Sequence, residues 1–264
     1  PRMPTIAGMR RRGYSPEGIR LFCDRIGVTR KPNVIELQTL EGSVRDDLEG
    51  RAHKAMAVFD PLKVVVTNWD QAPLELNVPW HSKRPEFGSR KMLFGRELYI
   101  ERSDFALDPP DGFFRLIPGG SVRLKYGFIV DFDDVVIGDD GQVSEVHVRY
   151  DPTTRSGQDE SGRKVKGTIH WVHAESAFAV DVHLYDRLFT VSDPGRYDDP
   201  ASMINPESLI VGQAWAEPSL HMLMPEAYFQ FERVGFFKQD PACEESRMIY
   251  NRSVTLKDAW AKKQ

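Results

Sequence analysis

Ser121-Val122-Arg123-Leu124-Lys125-Tyr126-Gly127-Phe128-Ile129-Val130-Asp131-Phe132 begins with apolar and polar residues in alternation and is rich in β-branched and aromatic side chains throughout. In a strand, successive side chains point to opposite sheet faces, so this pattern predicts a half-buried strand. Runs of the same kind lie on either side of it. They are LKVVVTNW (62–69), ELYIERSDF (97–105), SEVHVRYD (144–151), GTIHWVHA (167–174), FAVDVHLYDRLF (178–189), YFQFERVGFF (228–237) and SRMIYNRSVTL (246–256). Turn chemistry falls between them, at Gly119-Gly120, Asp140-Gly141 and Asp193-Pro194-Gly195. Short strands at this spacing predict antiparallel barrels or sandwiches rather than a parallel α/β sheet, and the length of the region predicts two barrels. DPTTRSGQDESGR (151–163) has the composition of a long exposed loop.

Before Met56 the period is helical. Thr5 is a candidate N-cap and Gly13 a left-handed stop. Ser15 caps a second helix that has Pro16 at its first position and Glu17 in its first turn. Ile19, Phe22, Cys23 and Ile26 form an apolar stripe, and Gly27 ends it. A third helix runs from about Val34 or Glu36 to Leu48, with Leu37, Leu40, Val44 and Leu48 on one side. The expected fold is therefore mainly β: an N-terminal helical subdomain followed by two antiparallel β-barrels.

The chain has 264 residues, enough for one large domain or two to three small ones, and an ordinary globular composition with 41% hydrophobic and 28% charged residues. No apolar run reaches the length of a membrane span, no secretion leader opens the chain, and the absence of a methionine before Pro1 suggests a piece of a longer protein. Two cysteines, Cys23 and Cys243, have no metal-binding spacing and fit a reducing cytoplasm, where such a residue is usually a small buried hydrophobe. The net charge of −4 argues against a general polyanion binder, but its distribution is uneven. Residues 1–54 carry 11 Lys+Arg against 7 Asp+Glu, and the remainder carries 24 against 32. A nucleic-acid ligand would have to meet local basic stripes on an acidic body.

Catalytic signatures are missing: there is no phosphate-binding glycine loop, no HExxH, no GxSxG and no metal-spaced Cys/His set. His170, His173 and His183 sit in strand-like runs, where hydrogen-bonded or solvent-facing histidines are commoner than ligands. Asp131, Asp133 and Asp134 lack calcium-loop spacing. Four places do suit RNA: Phe113-Phe114-Arg115, Arg123 and Lys125 two apart on one face of a strand, Tyr228–Arg233 and Gly162-Arg163-Lys164-Val165-Lys166-Gly167. Sequence-specific RNA reading works on unstacked bases, which need aromatic or guanidinium faces for stacking and Arg or Gln side chains for edge contacts. The plainer reading is that alternating aromatic–basic strands have one face in and one out.

These residues also carry a resemblance. PRMPTIAGMRRRGYSPEGIRLFCDRIGVTR resembles the segment of bacterial-type glutaminyl-tRNA synthetases just after their second ATP-site signature. The likeness continues through RDDL, AMAVFDPLKVVVTNW, KRPEFGSR, GRKVKGTIHWV, LYDRLFTV, NPESLI, AEPSL, FQFERVGFF and NRSVTLKDAWAKKQ, essentially the whole chain. The resemblance implies a C-terminal piece of a class I synthetase, which joins glutamine to tRNA(Gln) with ATP and magnesium. The HIGH and KMSKS-type strings of the catalytic domain do not occur here, so this piece is expected to be inactive alone, to bind no cofactor or metal, and to be a cytoplasmic monomer that does not engage membranes. It implies a helical connector at 1–55, a proximal anticodon-binding barrel from 56–84 and 176–264, and a distal one at 85–175, both of the ribosomal-protein-like type.

By the same resemblance, Arg115 reads the third anticodon base and Arg123 the first, with Lys125 where a relative carries a second arginine. Gln230 and Arg233 surround the central uridine, and Lys54 stands where a relative has an arginine touching it. Lysine there lacks the planar guanidinium fork and leaves only a point charge. Thr29, Arg30 and Lys31 approach the inside of the tRNA elbow, and Arg163, Lys164 and Lys166 are candidates for phosphate contacts. Two alternatives stay open from the sequence: a related glutamyl-tRNA synthetase, and a protein-interaction barrel with no RNA ligand.

Overall fold

A computed structural model describes residues 1–30, 34–244 and 247–257. The helices are α1 (Ile6–Arg12), α2 (Pro16–Ile26) and α3 (Leu37–Arg51). The strands in chain order are β1 (His53–Ala55), β2 (Ala57–Val58), β3 (Pro61–Val66), β4 (Leu74–Pro79), β5 (Ser89–Phe94), β6 (Glu97–Glu101), β7 (Ser121–Leu124) and β8 (Ile129–Ile137). They continue as β9 (Val143–Asp151), β10 (Thr168–Ile169), β11 (Trp171–His173), β12 (Phe178–Tyr185), β13 (Leu209–Ala216), β14 (Tyr228–Phe231), β15 (Gly235–Gln239) and β16 (Ile249–Thr255). Two compact units result. One comprises Pro1–Lys54, Val180–Gln213 and Leu223–Gln264, the other Ala55–Ala179 and Ala214–Met222. The fold is mainly β, with two nearly closed barrel-like sheets and a helical part.

In the first unit, the helix ends follow the expected chemistry. The Thr5 hydroxyl accepts from the Gly8 N–H at 3.0 Å, and the Ser15 hydroxyl accepts from the Gly18 N–H at 3.1 Å. Each satisfies a donor that the helix itself cannot. Gly13 closes α1 at φ 100°, a conformation that side chains resist. On α3, Leu40, Val44 and Leu48 are buried and pack with Tyr14, Phe236 and Val254. Burial of each large apolar side chain is worth about 1.5–3 kcal/mol, which fixes the helices to β15 and β16. The stripe on α2 is only half used: Ile19 and Phe22 pack on this core, whereas Cys23 is exposed rather than buried. The strand order is β14-β15-β16-β12-β13, with β1 beside β14.

In the second unit, the order is β10-β7-β8-β9-β3-β6-β11, and β4 and β5 form a separate pair. Its core gathers Trp69, Phe94, Phe128 and Trp171, with Trp171 fully buried. Most ladders are antiparallel, as expected, but β3–β9, β7–β10 and, in the first unit, β12–β16 pair in parallel. These join strands remote in sequence, so no local pattern signals them.

Two expected strands prove to be hairpins. Ser121–Phe132 divides into β7 and β8 around a turn at Lys125–Phe128, closed by Gly127 N–H to Leu124 O at 2.8 Å. YFQFERVGFF divides into β14 and β15, with Val234 N–H bonded to Phe231 O at 3.0 Å. The reversing residues are Tyr126 (φ 64°) and Arg233 (φ 68°), the two non-glycine residues with positive φ among those described. Lys125 therefore does not share a strand face with Arg123. It lies in the turn, its N–H bonded to Ile169 O at 2.9 Å.

Candidate nucleic-acid interface

The second unit brings one set of candidate residues together. Gly167 is the junction. Its carbonyl accepts from the Arg123 N–H at 2.9 Å, and a Cβ on it would lie 2.2 Å from the Phe114 carbonyl oxygen. Only glycine permits that approach, which lays Phe114-Arg115, Lys166-Gly167 and Arg123 side by side. Thr168 then pairs with Arg123 across β10 and β7.

Arg115 is held along one edge. Its Nη1 donates to Ser103 O at 2.8 Å and lies 3.0 Å from Asp104 Oδ1, on a carboxylate with no exposure. Among the described residues these bonds, with a longer one to Ser103 Oγ at 3.4 Å, all leave from Nη1, so Nη2 and Nε make no hydrogen bond there, while Cζ lies 5.9 Å from the centre of the Phe113 ring. Arg123 is held at both ends: Nη1 donates to Thr154 O at 2.7 Å, and Nη2 pairs with Asp159. The Asp159 carboxyl is held below its usual range first by the Ser161 hydroxyl and then by Arg123. For Arg123 to present its full fork to a base, Asp159 has to move away. Lys125 is half-buried, its Nζ 5.4 Å from the Tyr126 ring centre.

The basic tract splits in two. Arg163 is committed to the fold: it pairs with Asp131 at 2.6 Å and with Asp151 at 2.8 Å. These bonds, with Asp131 first, raise its own pKa further. The segment expected as an open loop is thus anchored at both of its acidic and basic ends. Lys164 and Lys166 are exposed, and Lys166 Nζ lies 5.2 Å from the centre of the Phe114 ring.

The first unit holds the other set. Lys54 lies on β1, the strand beside β14, which carries Gln230. Gln230 is buried, opposite Phe236 on β15. Arg233 is half-buried at the tip of that hairpin, in the left-handed conformation described above. Thr29 and Arg30 are exposed beyond the end of α2; Lys31 lies outside the described residues.

Sequence reasoning missed the acidic partners. Asp104 and Asp159 each fix a candidate arginine, and neither carries any local signal of it, because the pairs join residues 11 and 36 positions apart. The histidines are explained by the fold. His173 Nδ1 lies 3.0 Å from Ser176 Oγ, His183 Nδ1 lies 3.1 Å from Asn251 Oδ1, and His170 Nε2 lies 3.2 Å from Glu101 Oε1. Burial pushes the His173 pKa down, favouring the neutral ring. Among the described residues, no three His, Cys, Asp or Glu come together as a metal-binding group.

Two family models, both described as the anticodon-binding domain of class I tRNA synthetases (E and Q), match residues 52–151 and 168–240. The chain belongs to the family of class I (E and Q) tRNA synthetase anticodon-binding domains. Arg115, Arg123 and Lys125 fall within the first match, and Gln230 and Arg233 within the second. Relatives named glutamine–tRNA ligase align along 99% of the chain. That of Cupriavidus taiwanensis is 48% identical over 266 residues, that of Rhodopirellula baltica 48% over 266 and that of Proteus mirabilis 44% over 262. The chain spans about half the length of these relatives, between 44% and 47%. No helix among the described residues is long and apolar enough to cross a membrane.

Proposed function

We propose that this chain is the anticodon-reading part of a glutamine–tRNA ligase, and that its work is selective binding of tRNA(Gln). The observation that supports it most is Arg115. A guanidinium locked along one edge by a buried carboxylate is pre-organised to offer its other edge to a base, as discrimination requires. In this reading Arg115 takes the third anticodon base, Arg123 and Lys125 the first, and Gln230, Arg233 and Lys54 the central one. Arg233 keeps a strained backbone at a position that suits glycine, which fits selection for its side chain. Lys164 and Lys166 contact phosphate, and Thr29, Arg30 and Lys31 approach the tRNA elbow.

Residues 1–55 then act as a connector, with two anticodon-binding barrels after it; the bounds expected for these, 56–84 with 176–264 and 85–175, differ from the division described above, in which β3 pairs with β6 and β9 within Ala55–Ala179. The glutamine and ATP sites, with magnesium, belong to the rest of the longer protein, a cytoplasmic monomer. Aminoacylation is absent from this chain alone.

The test is titration of anticodon stem-loops. Arg115→Ala should weaken the cognate loop by about 1–3 kcal/mol and abolish selectivity at the third base. Equal loss on cognate and third-base variant loops would contradict the role. Charging of tRNA by the longer protein with glutamine against glutamate settles the amino acid.

A further inference from the structure

We propose that Phe114 is a stacking platform for the nucleobase that Arg115 reads, a role that rests on the anticodon reading above. Phe114 is 57% exposed, although it lies between the half-buried Phe113 and the buried Leu116. A lone exposed aromatic is ordinary on a protein surface, so exposure alone means little. What sets this one apart is its surroundings. Lys166 Nζ lies over the ring at 5.2 Å from its centre, and the chain-adjacent Arg115 is pinned by Asp104 and Ser103.

The ring is also fixed at its root. The Phe114 carbonyl lies against Gly167, and Leu116 bridges Phe105, with Leu116 N–H bonded to Asp104 O at 3.0 Å. Phe114 and Arg115, with Lys166 facing them from the neighbouring segment, therefore bring together an exposed aromatic ring, a guanidinium with a free edge and a cation. Those are the parts an unstacked nucleobase needs: a π-face to lie on, donors for its edge and a positive charge for its phosphate. With Lys166 over the ring, the base would stack on the face opposite the ammonium. Phe114 thereby grips whatever base is present, while Arg115 chooses among them.

The experiment uses the 264-residue chain with two RNA stem-loops, one intact and one abasic at the third anticodon position. Phe114→Ala should weaken the intact loop about 5- to 150-fold, the range of a base–aromatic stack. It should change binding of the abasic loop less than about twofold. Phe114→Trp should keep affinity, and the added tryptophan emission should be quenched by the intact loop and not by the abasic one. Wild-type affinity in Phe114→Ala, or the same loss on both loops, would overturn the proposal. If binding depends on Arg115 but not on Phe114, only the stacking role fails. If the wild-type chain binds neither loop, the anticodon reading fails, and the platform fails with it.

Discussion

Arg163→Ala separates fold from recognition in the basic tract. The guanidinium lies 2.6 Å from Asp131 Oδ1, on β8, and 2.8 Å from Asp151 Oδ2, at the end of β9. All three side chains keep partial exposure, from 22% to 41%, so water screens each pair. Exposed pairs contribute about 0.2–1 kcal/mol each, and the loss of both leaves two carboxylates facing one another. The variant should therefore lose about 1–2 kcal/mol. For a chain of this size that is a melting-temperature drop of about 2–8 °C. Stem-loop affinity measured against salt should keep its slope, because Arg163 has no charge free for phosphate. Lys164→Ala or Lys166→Ala should do the reverse, leaving the melt unchanged and lowering the slope by about one ion each. An unchanged melt in Arg163→Ala with a flatter salt dependence would refute the assignment.

Arg233→Gly should stay within about 1 kcal/mol of wild type in urea, since glycine accepts φ 68° and relief of strain offsets its greater freedom in the unfolded chain. Stem-loop affinity should fall all the same, and wild-type affinity would show that only the backbone matters there. Acid tests a different contact. Burial alone would raise the Asp240 carboxyl, but Arg11, Asn251 and the Ala242 N–H reverse this and hold it at about 2. The folded pKa thus lies below the unfolded value near 4. The resulting stability, about 2 kcal/mol, is present above pH ~4 and lost as pH falls toward 2. Urea midpoints between pH 5 and 2 should show this slope, and Asp240→Asn should flatten it.

Much of the fold was legible because local chemistry decided it. Thr5, Gly13, Ser15 and Pro16 mark helix ends through the bonds they make, and the strands of both units follow alternation. The hairpins at Tyr126 and Arg233 were not legible, since a turn built on a non-glycine left-handed residue looks like continuous strand. The parallel ladders were hidden for another reason. They match strands such as β3 and β9, whose pairing depends on closure of the sheet and not on either sequence. At the site, residue type pointed to Arg115 and Arg123 but not to Asp104 or Asp159, which determine how each guanidinium is presented. Arg163 looked equivalent to Lys164 until Asp131 and Asp151 were seen to hold it.

The most direct test of the account is a crystal structure of this chain bound to its anticodon stem-loop. It should show the three bases pulled apart, the third against Arg115, the first beside Arg123, and the central one between Gln230 and Arg233. A stacked trinucleotide that touches none of these side chains would contradict it.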